Sequence, residues 1–197
     1  MAEHIAKITS VCYYHLRRQK QVGRILGAEI AARLVSAYII SRLDYCNSVM
    51  TDLPKASITP LQRVQNAAVG LIKLLGLRDH ISSTIRDLHW LPVKYRITYK
   101  LCTMMHAANN HQCSGYIAEL LTATSSVVSR SRLRSASSNR YEVHRTRLQF
   151  RHRAFLLAGP TAWNSLQQEI TDIPNTEHFK VQLKTCLCTL AYINNYD

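Results

Sequence analysis

Residues 93–108 read VKYRITYKLCTMMHAA, and this stretch decides the fold class of the chain. Its apolar side chains Ile97, Leu101, Met104 and Met105 recur at the spacing of one face of an α-helix. Such a helix is stable in water mainly because its apolar face packs against other elements. The stretch therefore predicts a helix that belongs to a helical bundle.

Similar periodicity precedes this helix and predicts three more, over residues 5–25, 28–50 and 59–75. The short stretch 82–88 opens with Ser-Ser-Thr, which can cap a helix. Gly23 and Gly27 interrupt the first pattern near its end. Pro60 suits a first helical turn, and Gly76 suits the residue that follows a helix end. The chain has only 6 glycines and 5 prolines, which also favours a mainly helical architecture.

The helix predicted over residues 28–50 has an apolar stripe that we expect to face the core. Its members are Ile30, Leu34, Val35, Tyr38, Ile39 and Leu43. Cys46 falls in the same helical pattern, where a free cysteine usually acts as a small buried hydrophobe. The 6 cysteines of the chain are scattered and no signal peptide is recognisable, so reduced thiols are expected.

The composition changes after Leu121, where Ser, Thr and Arg become frequent. The weak alternation of Tyr141, Val143 and Arg145 allows a short β-hairpin in this part. Apolar residues return from Phe155 onward, and a last helix is predicted over residues 176–190. The expected organisation is a helical bundle, an Arg/Ser-rich linker or hairpin, and a C-terminal helical segment that packs back on the bundle. These parts cover residues 1–121, 122–153 and 154–197.

The charge balance is strongly basic, with a net charge of +13 and an isoelectric point near 9.8. This excess favours polyanionic partners, of which nucleic acid is the first candidate. The strongly apolar run at 34–41 is too short to span a bilayer, which needs about 20 residues. We therefore expect an intracellular protein with no membrane partner, and no feature decides between nucleus and cytoplasm.

Two groups of basic side chains are the candidate nucleic-acid-binding residues. The first comprises Arg17, Arg18, Lys20 and Arg24, and the second comprises Arg130, Arg132, Arg134, Arg145, Arg147, Arg151 and Arg153. Arginine presents a planar donor fork that suits phosphate oxygens. For the second group, a solvated flexible loop and a localisation signal remain alternatives. No arrangement of aromatic residues marks a base-reading surface, so binding is expected to depend on shape and charge.

No pattern of residues supports catalysis by this chain. Its aspartates stand singly, whereas a polymerase needs clustered carboxylates to hold two metal ions. Neither a phosphate-binding glycine loop nor a Gly-x-Ser-x-Gly nucleophile motif occurs. We expect no catalytic residue, no metal and no cofactor. Cys102, His106, His111 and Cys113 form the one alternative, a zinc site, but they lack a Cys-x-x-Cys knuckle and core packing is the preferred interpretation.

Several ordered motifs resemble a known family. They are 41–48 (SRLDYCNS), 61–68 (LQRVQNAA), 88–93 (LHWLPV), 96–100 (RITYK), 133–135 (LRS), 153–155 (RAF), 158–166 (AGPTAWNSL) and 179–184 (FKVQLK). The series resembles the region downstream of the palm in reverse transcriptases of jockey-like non-LTR (LINE-type) retrotransposons. The resemblance extends from about His15 to Leu190. Within it, we expect Asp44 to Asn47 to be structural, and Trp90 and Trp163 to be core anchors.

The resemblance implies that residues 1 to about 75 are similar to a thumb that grips a template-primer duplex. RNA or an RNA–DNA hybrid is then the expected partner, and the polymerase palm or another protein is a further one. The family's Tyr-x-Asp-Asp metal site has no counterpart here, so none of its catalytic residues is carried over. The expected function is that of a reverse transcriptase (RNA-directed DNA polymerase) fragment that binds nucleic acid without activity alone. A protein-interaction or structural module, or an inert relic of a decayed element, is the alternative.

Overall fold

The computed structural model describes residues 1–73, 81–124, 139–144, 146–147 and 149–193, and these ranges are mainly helical, as predicted. Their α-helices are α1 (Ala2–Val35), α2 (Ser41–Asp44), α3 (Lys55–Lys73), α4 (Ile81–Asp87), α5 (Val93–Asn109), α6 (Gly115–Glu119), α7 (Phe155–Asn164), α8 (Gln168–Thr171) and α9 (Thr176–Ile193). A π-helical turn at Ser36–Ile40 joins α1 to α2, and 3-10 turns lie at Asn47–Met50 and Gln149–Arg153. Among these helices, none combines the length and the apolar character needed to cross a bilayer.

A helical hairpin forms the first part of the fold. Gly27 breaks α1 with φ 74° and ψ 162°, a conformation that a residue with a Cβ adopts only under strain. We call residues 2–26 the first arm and residues 28–44 the second arm. The arms are antiparallel, because His15 of the first stacks on Tyr38 of the second, while Cys12 is close to Arg42. The glycine that interrupts the sequence pattern is therefore the turn of the hairpin.

Three expectations for the second arm are wrong. The helix predicted to continue to residue 50 ends at Asp44, and Cys46 is exposed in a left-handed turn with φ 52°. Ile30 and Tyr38 are also exposed, because the buried stripe of this arm runs along a neighbouring line of the helix. That line comprises Ala31, Val35, Ile39 and Leu43.

Helix α3 crosses the hairpin and contacts it extensively. It begins at Lys55, ahead of the start predicted at Thr59 and Pro60, and it contains Pro60. A proline near a helix start removes only one backbone hydrogen bond, so the helix can begin one turn earlier. The helix cap predicted at Gly76 lies outside the described residues.

Helix α5 is the central element and matches its predicted range closely. Its residues Val93, Ile97 and Leu101 join the core formed by the hairpin and α3, and Cys102 and Met105 join a second core with α7 and α9. Trp163, Phe179 and Leu183 are fully buried members of that second core. Helix α5 therefore connects the two halves of the protein.

The short segment 139–144 lies against α7. Trp163 Nε1 donates a hydrogen bond of 2.8 Å to the Asn139 carbonyl, and Asn164 bonds both the amide and the carbonyl of Tyr141. Tyr141 forms an isolated antiparallel bridge with Ala123. Of the β-hairpin predicted around Tyr141 to Arg145, the described residues contain only this bridge. Arg145 and residues 125–138 lie outside the described part.

Candidate nucleic-acid interface

Polar residues of the sequence motifs mainly form contacts between helices. Arg96 of α5 donates to both carboxylate oxygens of Asp44, with an Nε–Oδ1 distance of 2.7 Å. Asn47 Nδ2 lies 3.5 Å from the same Oδ1 atom. The contact joins the 41–48 motif to the 96–100 motif, which agrees with the structural role expected for Asp44 and Asn47.

A second polar network joins the 61–68 motif to the 88–93 motif. Gln65 is fully buried, and its Nε2 atom donates to the Leu91 carbonyl at 2.9 Å. Gln62 Oε1 accepts the Val93 backbone N–H at 2.9 Å, and Gln62 Nε2 bonds Gln65 Oε1 at 3.0 Å. Gln62 thereby satisfies a free amide at the start of α5. Because these motifs are occupied with packing, a binding surface has to be sought on exposed residues.

The first arm of the hairpin has such a surface on its outward side. Arg17, Arg18 and Lys20 are all exposed, whereas Cys12 and Leu16 of the same arm are buried. With 3.6 residues per turn, Arg17 and Arg18 project away from the buried stripe, and Lys20 lies nearer its edge. Three of the four candidate binding residues of the first group therefore lie on the surface. The side chain of the fourth, Arg24, lies outside the described part.

An aromatic cluster adjoins these basic residues, and the sequence interpretation missed it. The rings of His15 and Tyr38 stack at 5.2 Å with an interplanar angle of 23°, and Tyr14 meets His15 edge-on at 5.5 Å. The Arg18 guanidinium lies 5.9 Å from the centroid of the Tyr14 ring, and its Nη1 atom is 3.4 Å from the Tyr14 hydroxyl. We call Tyr14, His15 and Tyr38 the aromatic strip. The only sequence signal for it was the adjacency of Tyr14 and His15 to the basic residues.

The second basic group is described only in part. Arg147 and Arg151 are exposed and Arg153 is half-buried, whereas Arg130, Arg132, Arg134 and Arg145 lie outside the described residues. The 3-10 turn with Arg151 and Arg153 contacts the turn Asn47–Met50, which follows the second arm.

In the described ranges, no acidic side chain forms an ion pair with the candidate binding residues. The ion pairs present there are Arg33–Glu29, Arg96–Asp44 and Lys180–Glu177. None of them includes Arg17, Arg18, Lys20, Arg147, Arg151 or Arg153. The acidic side chains of the described ranges thus leave these charges to an anionic partner.

The four alternative metal ligands have different surroundings. Burial raises the pKa of the Cys102 thiol to about 12, helped by the nearby Cys186, so this thiol stays protonated at neutral pH. His106 is buried, stacks on Phe179 at 4.1 Å, and its Nε2 atom lies 2.8 Å from the Ile173 carbonyl. His111 is exposed. Across the described ranges, no three His, Cys, Asp or Glu side chains are grouped for metal binding.

Comparisons of the chain with protein-family profiles, with curated proteins and with solved structures find no match.

Proposed function

We propose that this protein is an accessory nucleic-acid-binding domain without turnover of its own, similar to the region after the palm of a non-LTR retrotransposon reverse transcriptase. Its partner in this proposal is RNA or an RNA–DNA hybrid. The supporting observation is the exposed group Arg17, Arg18 and Lys20, which forms no ion pair with the acidic side chains of the described residues, in a chain with a net charge of +13. Guanidinium groups displayed in this way suit phosphate oxygens.

Helix geometry supports contact with a phosphate backbone. The first arm packs on the second arm and on α3 through its buried face, so its basic side chains project from a packed support. Phosphate contacts position a protein on nucleic acid without reading its sequence. The motif residues Asp44, Gln65 and Arg96 form contacts that hold this support together. This arrangement supports a binding role for the domain.

The experiment is a salt titration of the affinity for an RNA–DNA hybrid. The wild type is compared with R17Q/R18Q/K20Q and with the control K55Q/R63Q/K73Q, which removes three exposed positive charges from α3. Each phosphate contact adds about −0.7 to −0.9 to the slope of log affinity against log salt. We expect the first variant to lose affinity and about two to three units of slope. The control should lose much less.

A parallel variant, with Arg147 and Arg151 changed to glutamine, tests the described part of the second basic group. Salt-independent binding by the wild type would contradict the proposal. Equal losses in the α1 and α3 variants would show that net charge alone is responsible. Absence of binding by a folded protein would leave a protein-interaction module, with a polymerase palm or another protein as partner, or an inert relic.

A further inference from the structure

We propose that the aromatic strip stacks unpaired bases, so that the protein prefers single-stranded over duplex nucleic acid. This inference rests on the proposed function and assigns part of the binding energy to Tyr14 and Tyr38. It goes beyond the sequence-based expectation, in which no base-contacting surface was identified.

Exposure of the two tyrosines is the first argument. Tyr14 is 51% exposed and Tyr38 is 46% exposed, although both belong to arms whose other faces are buried. A single exposed ring is ordinary, but aromatic side chains that are exposed next to one another form an apolar patch, and such patches mark binding surfaces. Neither ring belongs to the hydrophobic cores of the described residues.

The second argument is the geometry of the rings. His15 and Tyr38 come from different arms and already stack nearly parallel, with Tyr14 completing the series edge-on. His15 stacks on one side of the Tyr38 ring, and Tyr38 nevertheless stays 46% exposed. A planar base can extend this stack on the open side. Base-on-aromatic stacking of this kind tolerates any sequence, because every base has a flat face.

Adjacent charge is the third argument. Arg18 lies over Tyr14, and Arg17 is exposed on the same arm. A base on the strip would bring its own phosphate close to the Arg18 guanidinium. Alternating basic and aromatic side chains are what single-strand binding surfaces use, whereas paired bases in a duplex keep their faces covered.

The test compares affinities for an unstructured single-stranded oligouridine and for a duplex RNA of the same length, measured by fluorescence anisotropy. The variant Y14L/Y38L keeps apolar side chains but removes both rings. Y14F/Y38F keeps the rings and removes the hydroxyls. The control Y45L/Y116L changes two tyrosines that are exposed elsewhere, at 69% and 68%.

We expect Y14L/Y38L to lose affinity for the single strand by on the order of tenfold or more, because that is the usual effect of losing a base-stacking ring. The Phe variant and the Y45L/Y116L control should bind the single strand as the wild type does. Duplex affinity should change little in any of them. Thermal melting of each variant checks that the hairpin is still folded.

The outcomes separate the two proposals. If the wild type binds neither RNA, the proposed function fails and this inference fails with it. If the wild type binds with strong salt dependence but Y14L/Y38L equals the Y45L/Y116L control, the phosphate-binding proposal stands and the stacking inference is overturned. A wild type that prefers the duplex would also overturn it.

Discussion

Asp44 and Arg96 are 52 positions apart in the sequence and form a two-pronged ion pair between the end of the hairpin and the first turns of α5. The Arg96 side chain is 17% exposed and the Asp44 side chain 42%, so water screens this pair less than it screens a fully exposed pair. Bidentate pairs of arginine and carboxylate are also the strongest charge-assisted hydrogen bonds in proteins.

A double-mutant cycle should therefore detect strong coupling between these residues. We expect D44N and R96M each to lower the free energy of unfolding by about 1–2 kcal/mol, with a coupling energy of about 1–2 kcal/mol. Chemical denaturation of the four proteins measures it. The exposed pair Glu29–Arg33 on α1 is the matched control, with an expected coupling of no more than about 0.5 kcal/mol. Similar coupling in both pairs would contradict the prediction.

Gln65 should be sensitive to loss of its amide. Gln65→Met keeps the approximate volume but leaves the Leu91 carbonyl without its donor in a buried site. We expect the free energy of unfolding to fall by about 1–3 kcal/mol, measured by urea denaturation. The same substitution at the exposed Gln182 of α9 should change it by no more than about 0.5 kcal/mol. A neutral Gln65→Met would mean that the network contributes little.

Two glycine-to-alanine substitutions should have opposite effects. A Cβ at Gly159 would lie 2.7 Å from Met105 Sδ, and Met105 is fully buried, so G159A should destabilise the protein by about 1–3 kcal/mol. At Gly70 in α3 a Cβ would meet nothing within 4 Å. G70A should therefore stabilise by about 0.5–1 kcal/mol through helix propensity. Melting temperatures of both variants test the pair, and a neutral G159A would refute the close packing of α5 and α7.

Alkaline pH should weaken the fold through Cys102. Burial raises its pKa from 9.0 to about 12, so the folded state holds the proton more tightly than the unfolded state. The resulting stabilisation is complete below pH 9 and is lost progressively between pH 9 and about 12. Between pH 8 and 10.5 we expect the wild type to lose about 2 kcal/mol more than C102A does. Parallel stability profiles for the two proteins would contradict the assignment.

The helices were largely predictable because amphipathic periodicity is a local property. Helix α5 and helix α9 begin at the predicted residues, Val93 and Thr176. The end of the second arm was not predictable from periodicity, because the left-handed turn at Cys46 follows Asp44, whose partner Arg96 lies 52 positions away in the sequence. Hydrophobicity alone suggested that Cys46 and Tyr38 face the core, and both are exposed.

The candidate interface was predictable only in its charged part. Arg17, Arg18 and Lys20 lie within four consecutive positions, so the local sequence reveals this basic cluster. The aromatic strip needs Tyr38 to face His15 across the hairpin, and that pairing follows from the turn at Gly27 and the packing of the arms. Periodicity identifies which face of a helix is apolar, but it does not identify which partner covers it.

The central position of α5 has a consequence for biosynthesis. The hairpin and α3, which cover one side of α5, leave the ribosome before it, whereas α7 and α9, which cover the side with Cys102 and Met105, leave after it. A nascent chain that stops short of Phe155 therefore displays an uncovered apolar helix face. Such faces recruit chaperones or drive aggregation until the remaining helices arrive.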